Sequence, residues 1–561
     1  MAFLPETQYA VQLVGPDELL LNTSKPITEP GPHQVLCRVE AVGLCFSDLK
    51  LLKQFSDHVR KGPITGGMDR GVLARIPSYV PGVSPTVPGH EAVVRIAAMG
   101  PGVKSLVCGR RYLVQTDYRW LPTAGSNAAF GYNFEGALQE YTLMDERVIT
   151  SPGGESLLLE VSESLSAAAA ALVEPWACVE NAYRSVQRRS IRPGGRMAVV
   201  SEARVDAGLF SAFLKRFGRP AVAMWVSRRP PPGFGIDLKR VDSIAALEDG
   251  AFDDVVYFGS GAAAIEALFA KLRPGGILNI VLCGGAVGGR VHVPVGRVHY
   301  GGLRITGTPS CDPAASMDRI PAGVRIRRGD TVAVVGAAGP MGMMHVVRNV
   351  CLPPDELPSA VYAVDIDDRR LSFLAKVAGP MAEKRGVLYR GFTRAGEVLR
   401  QGLDYAVVCA PEPVLVADAV AGARKGGIIN IFAGIPAKVG AKIDLDSYLR
   451  KGLYLVGTSG SVLEDMKAVL ARVESGLLDT NVSVAAVSGL AGAIDGIRAV
   501  EKRLVAGKIV VYPDCKELGL VRIGDMAAEM PEVASELAGG AAGWNKAAEQ
   551  RLLRLYGCGH S

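Results

Sequence analysis

Short runs of apolar and β-branched residues, separated by segments rich in glycine and proline, characterise the first 150 residues of the chain. The clearest of these runs are QVLCRVEAVG (34–43) and AVVRIAAMG (92–100), which have the length and composition of strands. The pattern changes after Ser164, where LSAAAAALVEPWACVENAYRSV is typical of a helix, and apolar strands then alternate with amphipathic helices. The hydrophobic pattern therefore predicts a β-rich domain with long loops, followed by α/β structure.

The later half of the chain contains an internal repeat. IRPGGRMAVV (191–200) matches IRRGDTVAVV (326–335), PGGILNI (274–280) matches KGGIINI (425–431), and GGLRITGT (301–308) matches KGLYLVGT (451–458). Because these landmarks recur in one order with loop-sized changes in spacing, they indicate a duplicated module. Each copy alternates strands with helices, which predicts two doubly wound parallel sheets in tandem.

A glycine-rich turn follows the first strand of the second copy, in VAVVGAAGPMGMM (332–344). Glycines let a backbone approach a pyrophosphate at a helix N-terminus, and Asp365, which ends the next strand, can accept hydrogen bonds from ribose hydroxyls. Ala337 stands where the common GxGxxG motif has its first glycine, which requires a negative φ there. Asp365 favours NAD(H) over NADP(H), whose 2′-phosphate would meet its charge, although Arg369 and Arg370 follow closely. The predicted cofactor-binding residues are Gly336, Gly339, Pro340, Met341, Gly342, Asp365 and Arg370.

The first copy lacks this turn. At the equivalent positions SEARVDAG places Ser201, Glu202, Arg204 and Asp206. Two carboxylates at a phosphate site would repel the ligand, and the missing glycines would block close approach of the backbone. The first copy is therefore predicted to be a degenerate dinucleotide-binding fold without its site.

Three segments of the N-terminal region and the helix after it carry possible metal ligands: GLCFSD with Cys45, PGHEAVV with His90 and VEPWACV with Glu174. Each segment alone is weak, because a cysteine in a β-rich region is usually a core residue. Together they supply a thiolate, an imidazole and a carboxylate, which suit a catalytic zinc that keeps a fourth position for water or substrate.

In this order and ahead of a dinucleotide fold, the three segments resemble the zinc-dependent medium-chain alcohol and polyol dehydrogenases. Sorbitol-dehydrogenase-like members share a Cys-x-Ser-Asp, a GHE and a Glu-Pro, and RLVAGKIVVYP (503–513) is similar to the family's closing segment. The closest likeness is to L-sorbose 1-phosphate reductase-like proteins, through EPWACV, GAAGPMGMM, NIFAG (430–434) and VGTSGSVLEDM (456–466). The resemblance covers residues 1–185 and about 320–513, and it implies a GroES-like catalytic domain.

The resemblance also implies roles for the residues around the metal. Glu91 lies beside the metal in the family's pattern, so Glu91 and Glu174 are interchangeable candidates for the third ligand. Asp48 is expected to accept a hydrogen bond from the second ring nitrogen of His90. One catalytic zinc is expected and no structural zinc, because residues 101–150 contain only Cys108 where the family's structural site has four cysteines.

The expected proton path begins at Ser47, which matches the hydroxyl that relays the alcohol proton in this family. Many relatives carry a relay histidine five residues after the cysteine ligand, and this chain has Lys50 there. A basic loop, KQFSDHVRKG (53–62), follows closely, and GYNFEG (131–136) with Trp120 are candidates for a polar pocket wall. The loop's basic side chains would suit a sugar phosphate, or they are exposed loop charges.

The amino-acid composition indicates which class of ligand and which cellular compartment to expect. The chain has 48% apolar and 21% charged residues and a net charge of +6 without basic runs, which is typical of a soluble protein that binds a small molecule rather than nucleic acid. Its ten cysteines form no CxxC pair, which favours a reducing compartment. The N-terminus does not resemble a signal peptide, and the apolar run 165–173 is too short to cross a membrane. We therefore expect a cytoplasmic protein.

These observations predict a catalytic domain at 1–185, a degenerate Rossmann-type module at 186–320, an NAD-binding Rossmann domain at 321–460, a return to the catalytic domain at 461–513 and a helical tail at 514–561. The degenerate module could occupy the sheet edge that related dehydrogenases use for dimerisation. We therefore expect either a monomer with an internal pseudo-dimer or a homodimer.

The predicted function is a zinc- and NAD(H)-dependent oxidoreductase that interconverts a secondary alcohol of a polyol, sugar or sugar phosphate with its ketone. One alternative is a redox-neutral enzyme with tightly bound NAD, of the epimerase, lyase or cyclase type. The other is a binding or regulatory protein that has lost turnover.

Overall fold

The computed structural model describes residues 4–233, 235–537 and 543–557. Cys558, the last of the ten cysteines, lies outside these ranges. The chain divides into two compact units, one formed by residues 1–178 with 461–561 and the other by residues 179–460. Among the described residues, no helix is long and apolar enough to cross a membrane.

The N-terminal part of the first unit is mainly β-structure, as the strand-like runs predict. The first strands form a hairpin, and later strands are joined by long loops and short helices. Its elements are β1 (Thr7–Gly15), β2 (Glu18–Pro26), β3 (Gln34–Gly43), α1 (Phe46–Gln54), α2 (Arg70–Leu73), β4 (Glu91–Met99), β5 (Arg111–Val114), β6 (Asp117–Pro122), β7 (Asn127–Ala129), β8 (Tyr141–Asp145), α3 (Glu146–Ile149), β9 (Leu158–Glu160) and α4 (Ala167–Ala171). Helix α5 (Val173–Arg184) begins in this unit and includes the boundary at residue 178.

The first copy of the repeat is a parallel α/β module. Its sheet has the order β12-β11-β10-β13-β14-β16, which is the 3-2-1-4-5-6 order of a dinucleotide-binding fold. Its elements are β10 (Arg196–Ser201), α6 (Ala207–Phe217), β11 (Val222–Val226), β12 (Lys239–Val241), β13 (Phe252–Phe258), α7 (Ala262–Lys271), β14 (Leu272–Val281), β15 (Arg290–Val293), α8 (Val295–Tyr300), β16 (Arg304–Thr308) and α9 (Ala314–Met317).

The second copy repeats this architecture in the order β19-β18-β17-β20-β21-β23. Its central strands are buried along almost their whole length, as strands covered by helices on both faces require. Its elements are β17 (Thr331–Val335), α10 (Pro340–Val350), β18 (Ala360–Val364), α11 (Asp368–Lys384), β19 (Leu388–Phe392), α12 (Ala395–Leu399), β20 (Leu403–Val408), α13 (Pro413–Gly422), β21 (Ala423–Ile431), β22 (Ala441–Asp444), α14 (Leu445–Lys451) and β23 (Tyr454–Val456).

The two copies pack against each other within the second unit. β15 pairs antiparallel with β22, and the edge strands β16 and β23 are neighbours. Tyr448 of the second copy donates a hydrogen bond to the Ile305 carbonyl of the first at 2.9 Å, and Asp446 accepts from the Val287 amide at 2.9 Å. One continuous apolar core includes side chains from both copies. Each copy therefore covers a sheet edge of the other.

The chain then returns to the first unit and extends its main sheet. The strand order of that sheet is β26-β24-β25-β3-β4-β5-β9, with β8 also paired to β3. The C-terminal elements are α15 (Leu463–Glu474), β24 (Val484–Ser488), α16 (Ala493–Glu501), β25 (Lys508–Val511), β26 (Val521–Arg522), α17 (Met526–Glu529), α18 (Pro531–Ala534) and α19 (Lys546–Tyr556).

The helix predicted in the tail is α19, and it packs onto the first unit through a buried carboxylate. Glu549 accepts hydrogen bonds from the backbone amides of Ala167 and Ala168, at 2.5 and 2.8 Å, and from the Tyr512 hydroxyl at 2.9 Å. The two amides belong to the first turn of α4, which leads into the helix that carries Glu174. The tail thus caps the segment that positions one of the candidate metal ligands.

Replacing Glu549 with alanine is expected to lower the free energy of unfolding by about 2–3 kcal/mol, because buried donors are left without an acceptor. Glu549→Gln keeps one carbonyl oxygen and should lose less. Equilibrium unfolding in urea measures both variants. Equal, near wild-type stability of the two would show that the tail contact contributes little.

Candidate functional site

The candidate metal ligands converge because two paired strands end at the same place. Cys45 follows β3 and caps helix α1, while His90 and Glu91 stand at the start of β4. In the antiparallel pairing of these strands, Gly43 is opposite Glu91. A side chain at Gly43 would overlap the Glu91 carboxylate, so the glycine makes room for it. One potential ligand atom from each of Cys45, His90 and Glu91 lies within 4.8 Å of the others.

Asp48 organises this cluster from helix α1. Its carboxylate accepts from the Cys45 amide at 3.0 Å, and its other oxygen lies 3.0 Å from Nδ1 of His90. Burial disfavours the charged imidazole, but the Asp48 carboxylate raises the pKa of His90 well above its ordinary value. With the Nδ1 proton directed at Asp48, the other ring nitrogen, Nε2, is the one available to a metal.

Ser47 lies between Cys45 of the Cys-x-Ser-Asp motif and His90 of the GHE motif. Its hydroxyl is 3.0 Å from Sγ of Cys45 and 3.2 Å from Nε2 of His90. The same hydroxyl interacts with the phenol of Tyr132, whose pKa burial raises. Ser47 is therefore placed to exchange a proton with a group bound at the cluster.

Lys508, on β25, is a functional candidate that the sequence reasoning missed. Its ammonium group lies 2.6 Å from Oε1 of Glu91 and also donates to the Leu44 carbonyl at 2.8 Å, and both charged side chains are fully buried. The other Glu91 oxygen, Oε2, is buried and has no hydrogen-bond partner among the described residues. An unsatisfied carboxylate oxygen beside a thiol and an imidazole is the environment that a divalent cation would satisfy. The residues present therefore fit a zinc ion.

Glu174 lies close to this cluster but outside the set of mutually adjacent ligand atoms. It is buried at the start of α5, where the Cys178 thiol approaches its carboxylate at 3.6 Å. Burial, and after it the charge of Glu91, raises the pKa of Glu174 to about 7, although His90 opposes this. Of the two interchangeable carboxylates, Glu91 is the one that the fold brings to the cysteine and histidine.

The basic side chains of the loop after Cys45 fall into two groups. Lys53 pairs with Glu501, and buried Lys61 donates to backbone carbonyls, so neither belongs to the cluster. His58 and Arg60 instead lie beside Tyr132, whose ring is 5.7 Å from that of His90. The loop's charges are therefore neither all in a pocket nor all solvent-exposed.

Arg60 and His58 place one charged and one neutral polar group beside Tyr132. Arg60 is paired with buried Asp117 at 2.6 Å. Burial and then the charges of Arg60 and Lys50 lower the pKa of His58 to about 4, so this imidazole is neutral at physiological pH. Lys50, on helix α1, is exposed.

The predicted nucleotide turn connects β17 to α10. Gly336 has a φ of 81°, and a side chain there would crowd the Ala410 amide, while one at Gly342 would overlap the Gly336 carbonyl. The φ of Ala337 is not positive, which agrees with the negative φ that an alanine needs at the first glycine position of the GxGxxG motif. Gly339 caps α10, and a side-chain carbon there would make only an ordinary contact with the Gly336 carbonyl, at 3.8 Å. Pro340 and Met341 form the first turn of the helix. This turn fits a dinucleotide phosphate.

Asp365 lies beside this turn, where an acid that binds ribose is expected. Its carboxylate accepts from the amides of Ala338 at 2.9 Å and Asp367 at 3.1 Å, and each oxygen retains a second lone pair. Arg370 is paired with Asp367 at 3.3 Å. Asp365 is thus held against the turn, while Arg370 is engaged at the N-terminus of α11.

In the first copy, other side chains occupy the corresponding space. The Tyr257 hydroxyl donates to Glu202 at 2.5 Å, and these two groups are the nearest contacts that a side chain at Gly259 would meet. Asp206 caps α6 by accepting from the Leu209 amide. The carboxylates noted in the sequence therefore have structural partners at the position of the missing phosphate turn.

Replacing Asp48 with asparagine is expected to weaken zinc binding by about 10–100-fold, because the partner that orients a histidine ligand is lost. Competition with a coloured chelator measures the affinity. Asp57→Asn, in the exposed part of the following loop, is the control and should bind zinc as the unaltered protein does. Unchanged affinity in Asp48→Asn would contradict the role given to this carboxylate.

Comparisons with known proteins agree with this architecture. Residues 31–152 match the alcohol dehydrogenase GroES-like domain. The chain is 28% identical over 254 residues to an uncharacterized protein, YggP, of Escherichia coli K12, with 41% of this chain and 58% of that protein covered. It is also 28% identical over 250 residues to a protein of Aliivibrio fischeri named mannitol-1-phosphate 5-dehydrogenase, with the same 41% and 58% coverage. The chain thus spans somewhat more than half the length of these relatives.

A solved structure shows the same fold. The crystal structure of 2R,3R-butanediol dehydrogenase from Bacillus subtilis aligns with a TM-score of 0.51 at 15% identity, covering 90% of this chain and 100% of that chain. The β-rich GroES-like domain and the parallel Rossmann-type sheets predicted from the sequence are confirmed. The chain is thus similar to zinc alcohol and polyol dehydrogenases in its GroES-like domain and in its fold.

Proposed function

We propose that the protein is a zinc- and NAD(H)-dependent oxidoreductase that interconverts a secondary alcohol of a polyol, sugar or sugar phosphate with its ketone. The observation that carries the proposal is the convergence of Cys45, His90 and Glu91 within 4.8 Å, together with the buried Glu91 oxygen that has no partner among the described residues. In this proposal Glu91 is the third zinc ligand, and Glu174 lies beside the site.

The residues of the cluster would have separate roles in the reaction. Zinc held by Cys45, His90 and Glu91 would supply a Lewis acid that stabilises negative charge on the substrate oxygen. Ser47 would relay the proton in oxidation, accepting it from the substrate hydroxyl while passing its own proton on toward solvent, and would work in reverse in reduction. Its hydroxyl lies within 3.2 Å of the His90 nitrogen that would hold the metal. NAD(H) would supply the hydride acceptor or donor.

Tyr132, His58 and Arg60 would hold the rest of the substrate. A phenol, a neutral imidazole and a guanidinium can all donate hydrogen bonds to hydroxyl or phosphate oxygens. The relative named mannitol-1-phosphate 5-dehydrogenase supports a phosphorylated polyol, and Arg60, which lies over the Tyr132 ring, would be the charged group that meets the phosphate. Its pairing with Asp117 would limit the excess positive charge.

NAD(H) is the proposed cofactor rather than NADP(H). Asp365 stands next to the phosphate turn, where its charge would oppose a 2′-phosphate, and Arg370 is engaged with Asp367. Gly336 and Gly342 leave room for the backbone of the turn to come close to a pyrophosphate, which supports binding of the dinucleotide in the second copy.

The test of function is net turnover with matched substrates. Ketoses, polyols and their phosphate esters are incubated with zinc-loaded protein and either NADH or NADPH for reduction, or NAD or NADP for oxidation. The proposal expects net change in nicotinamide absorbance with at least one polyol–ketose pair and a preference for NAD(H). Tightly bound NAD with substrate conversion but no net NADH would favour the redox-neutral alternative, and binding without conversion would favour the binding protein.

We also propose that the protein is a monomer in which the first copy takes the place of a partner subunit. The paired strands β15 and β22 and the shared core support this arrangement. Light scattering during gel filtration is expected to give the mass of one chain, 59.1 kDa. A dimer that persists on dilution would contradict the proposal.

A further inference from the structure

Two cysteines lie side by side at the carboxyl ends of neighbouring strands in the first copy. Cys283 follows β14 and Cys311 follows β16. The regular ladder ends with these strands, but the segments that follow stay hydrogen-bonded: the amides of Leu282, Cys283 and Gly284 donate to the carbonyls of Thr308, Ser310 and Pro309, at 2.9, 3.1 and 2.7 Å. The backbone of Cys283 is therefore bonded directly to the residue that precedes Cys311.

The separation expected between such hydrogen-bonded neighbouring segments suits a covalent bond. Neighbouring strands lie about 5 Å apart, and disulfides form between residues whose Cα atoms are roughly 4.4–6.8 Å apart. The two side chains also interact, because the Cys311 thiol is among the groups that raise the pKa of Cys283 to about 12, after the larger effect of burial. Cys311 is exposed and Cys283 is partly exposed, so small reagents can reach the pair.

The backbone at Cys283 provides a second observation. Its φ is 50°, in the left-handed region that non-glycine residues seldom adopt, and Gly284 beside it has a φ of 81°. A side chain is therefore held in a conformation for which glycine is better suited, and such positions are frequent at functional sites.

The surroundings of the pair do not complete a metal site. Among the described residues, a group of three or more possible metal ligands occurs at Cys45, His90 and Glu91, and none includes Cys283 or Cys311. Two adjacent accessible thiols without a third ligand are suited to thiol–disulfide exchange.

We propose that Cys283 and Cys311 form a reversible disulfide by exchange with a low-molecular-weight disulfide such as oxidised glutathione. The Cys311 thiolate attacks one glutathione sulfur, forming a mixed disulfide and releasing one glutathione thiolate. Cys283 then loses its proton to solvent and attacks the Cys311 sulfur, which releases the second glutathione. The two protein thiols are oxidised by two electrons in total, and one glutathione disulfide is reduced to two thiols.

This site is independent of the proposed zinc chemistry. It belongs to the first copy, whereas Cys45 and the cluster around it belong to the first unit. The proposal therefore predicts a modification that does not require turnover, and its failure would leave the oxidoreductase proposal untouched.

The test uses the native, zinc-loaded full chain treated with oxidised glutathione, blocked with an alkylating reagent and digested with trypsin. The expected product is a disulfide between the peptides 272–290 and 305–319, which contain Cys283 and Cys311, and dithiothreitol should reverse it. Cys108 is exposed, and its thiol contacts only backbone carbonyls in the structure, so it should carry at most a glutathione adduct.

Two single variants separate the steps. In Cys283→Ser the mixed disulfide on Cys311 should accumulate, because the second thiol is missing. In Cys311→Ser the adduct on Cys283 should form at least about tenfold more slowly, because that thiol is partly buried. Independent adducts on both cysteines of the native chain, or a linked peptide that appears only after unfolding, would overturn the proposal.

Discussion

Replacing Lys508 with methionine is expected to lower the free energy of unfolding of the metal-free protein by about 3–5 kcal/mol. Lys508 and Glu91 form a fully buried pair at 2.6 Å, and the ammonium group also donates to the Leu44 carbonyl. Methionine fills most of the same space but leaves the Glu91 carboxylate without its cation. The cost therefore comes mainly from an uncompensated buried charge.

Two further measurements make this result specific. Lys508→Met combined with Glu91→Gln removes both charges, so the double variant should be more stable than Lys508→Met alone. Zinc should also reduce the loss in Lys508→Met, because a bound cation would face the same carboxylate. Urea unfolding with and without chelator measures these differences. A single variant as stable as the unaltered protein would contradict the account of the buried pair.

Replacing Cys45 with alanine is expected to abolish zinc binding and reduce kcat/KM by about 10³-fold or more. The Lewis acid contributes several kcal/mol to stabilising charge in the transition state, and each 1.4 kcal/mol corresponds to roughly tenfold in rate. The thiol lies at the centre of the cluster, 3.0 Å from the Ser47 hydroxyl. Loss of the thiol should therefore impair both zinc binding and the proposed proton transfer by Ser47.

Cys108→Ala is the matched control for this variant. Its thiol is exposed and contacts the backbone carbonyls of Ile96 and Ala97 rather than the cluster. Zinc content and activity should both stay at the level of the unaltered protein. Activity retained in Cys45→Ala would mean that the cluster does not carry the reaction.

The sequence predicted the two α/β copies well because their evidence is local. Each buried strand is a short apolar run, and the GG landmarks in 274–280 and 425–431 fall in β14 and β21, the same positions of two identical strand orders. The differences between the copies were also visible, since Ser201 and Arg204 replace two glycines of the phosphate turn in the second copy.

The arrangement of the candidate site was only partly predictable. Cys45 and His90 belong to short motifs, but the position of Glu91 depends on the register that sets it opposite Gly43. Glu174 occurs in an equally suggestive motif and lies outside the adjacent set. Sequence spacing does not determine which of two carboxylates a fold brings to a metal.

Long-range partners were the least predictable features. Lys508 is separated from Glu91 by more than four hundred residues, and the signal available was a single charge at the start of the apolar segment KIVVYP. Lys61 looked like a pocket residue in the basic loop, but its ammonium group is buried against backbone carbonyls. Burial of a loop side chain depends on tertiary contacts that a local pattern does not contain.

Zinc binding at Cys45, His90 and Glu91 is tested first by the zinc content of the purified full chain, determined by mass spectrometry after dialysis without chelator. We expect about one zinc per chain, as for a single catalytic site, and its loss in Cys45→Ala. Chains that contain no zinc and acquire none from zinc-containing buffer would show that these residues do not form a zinc site.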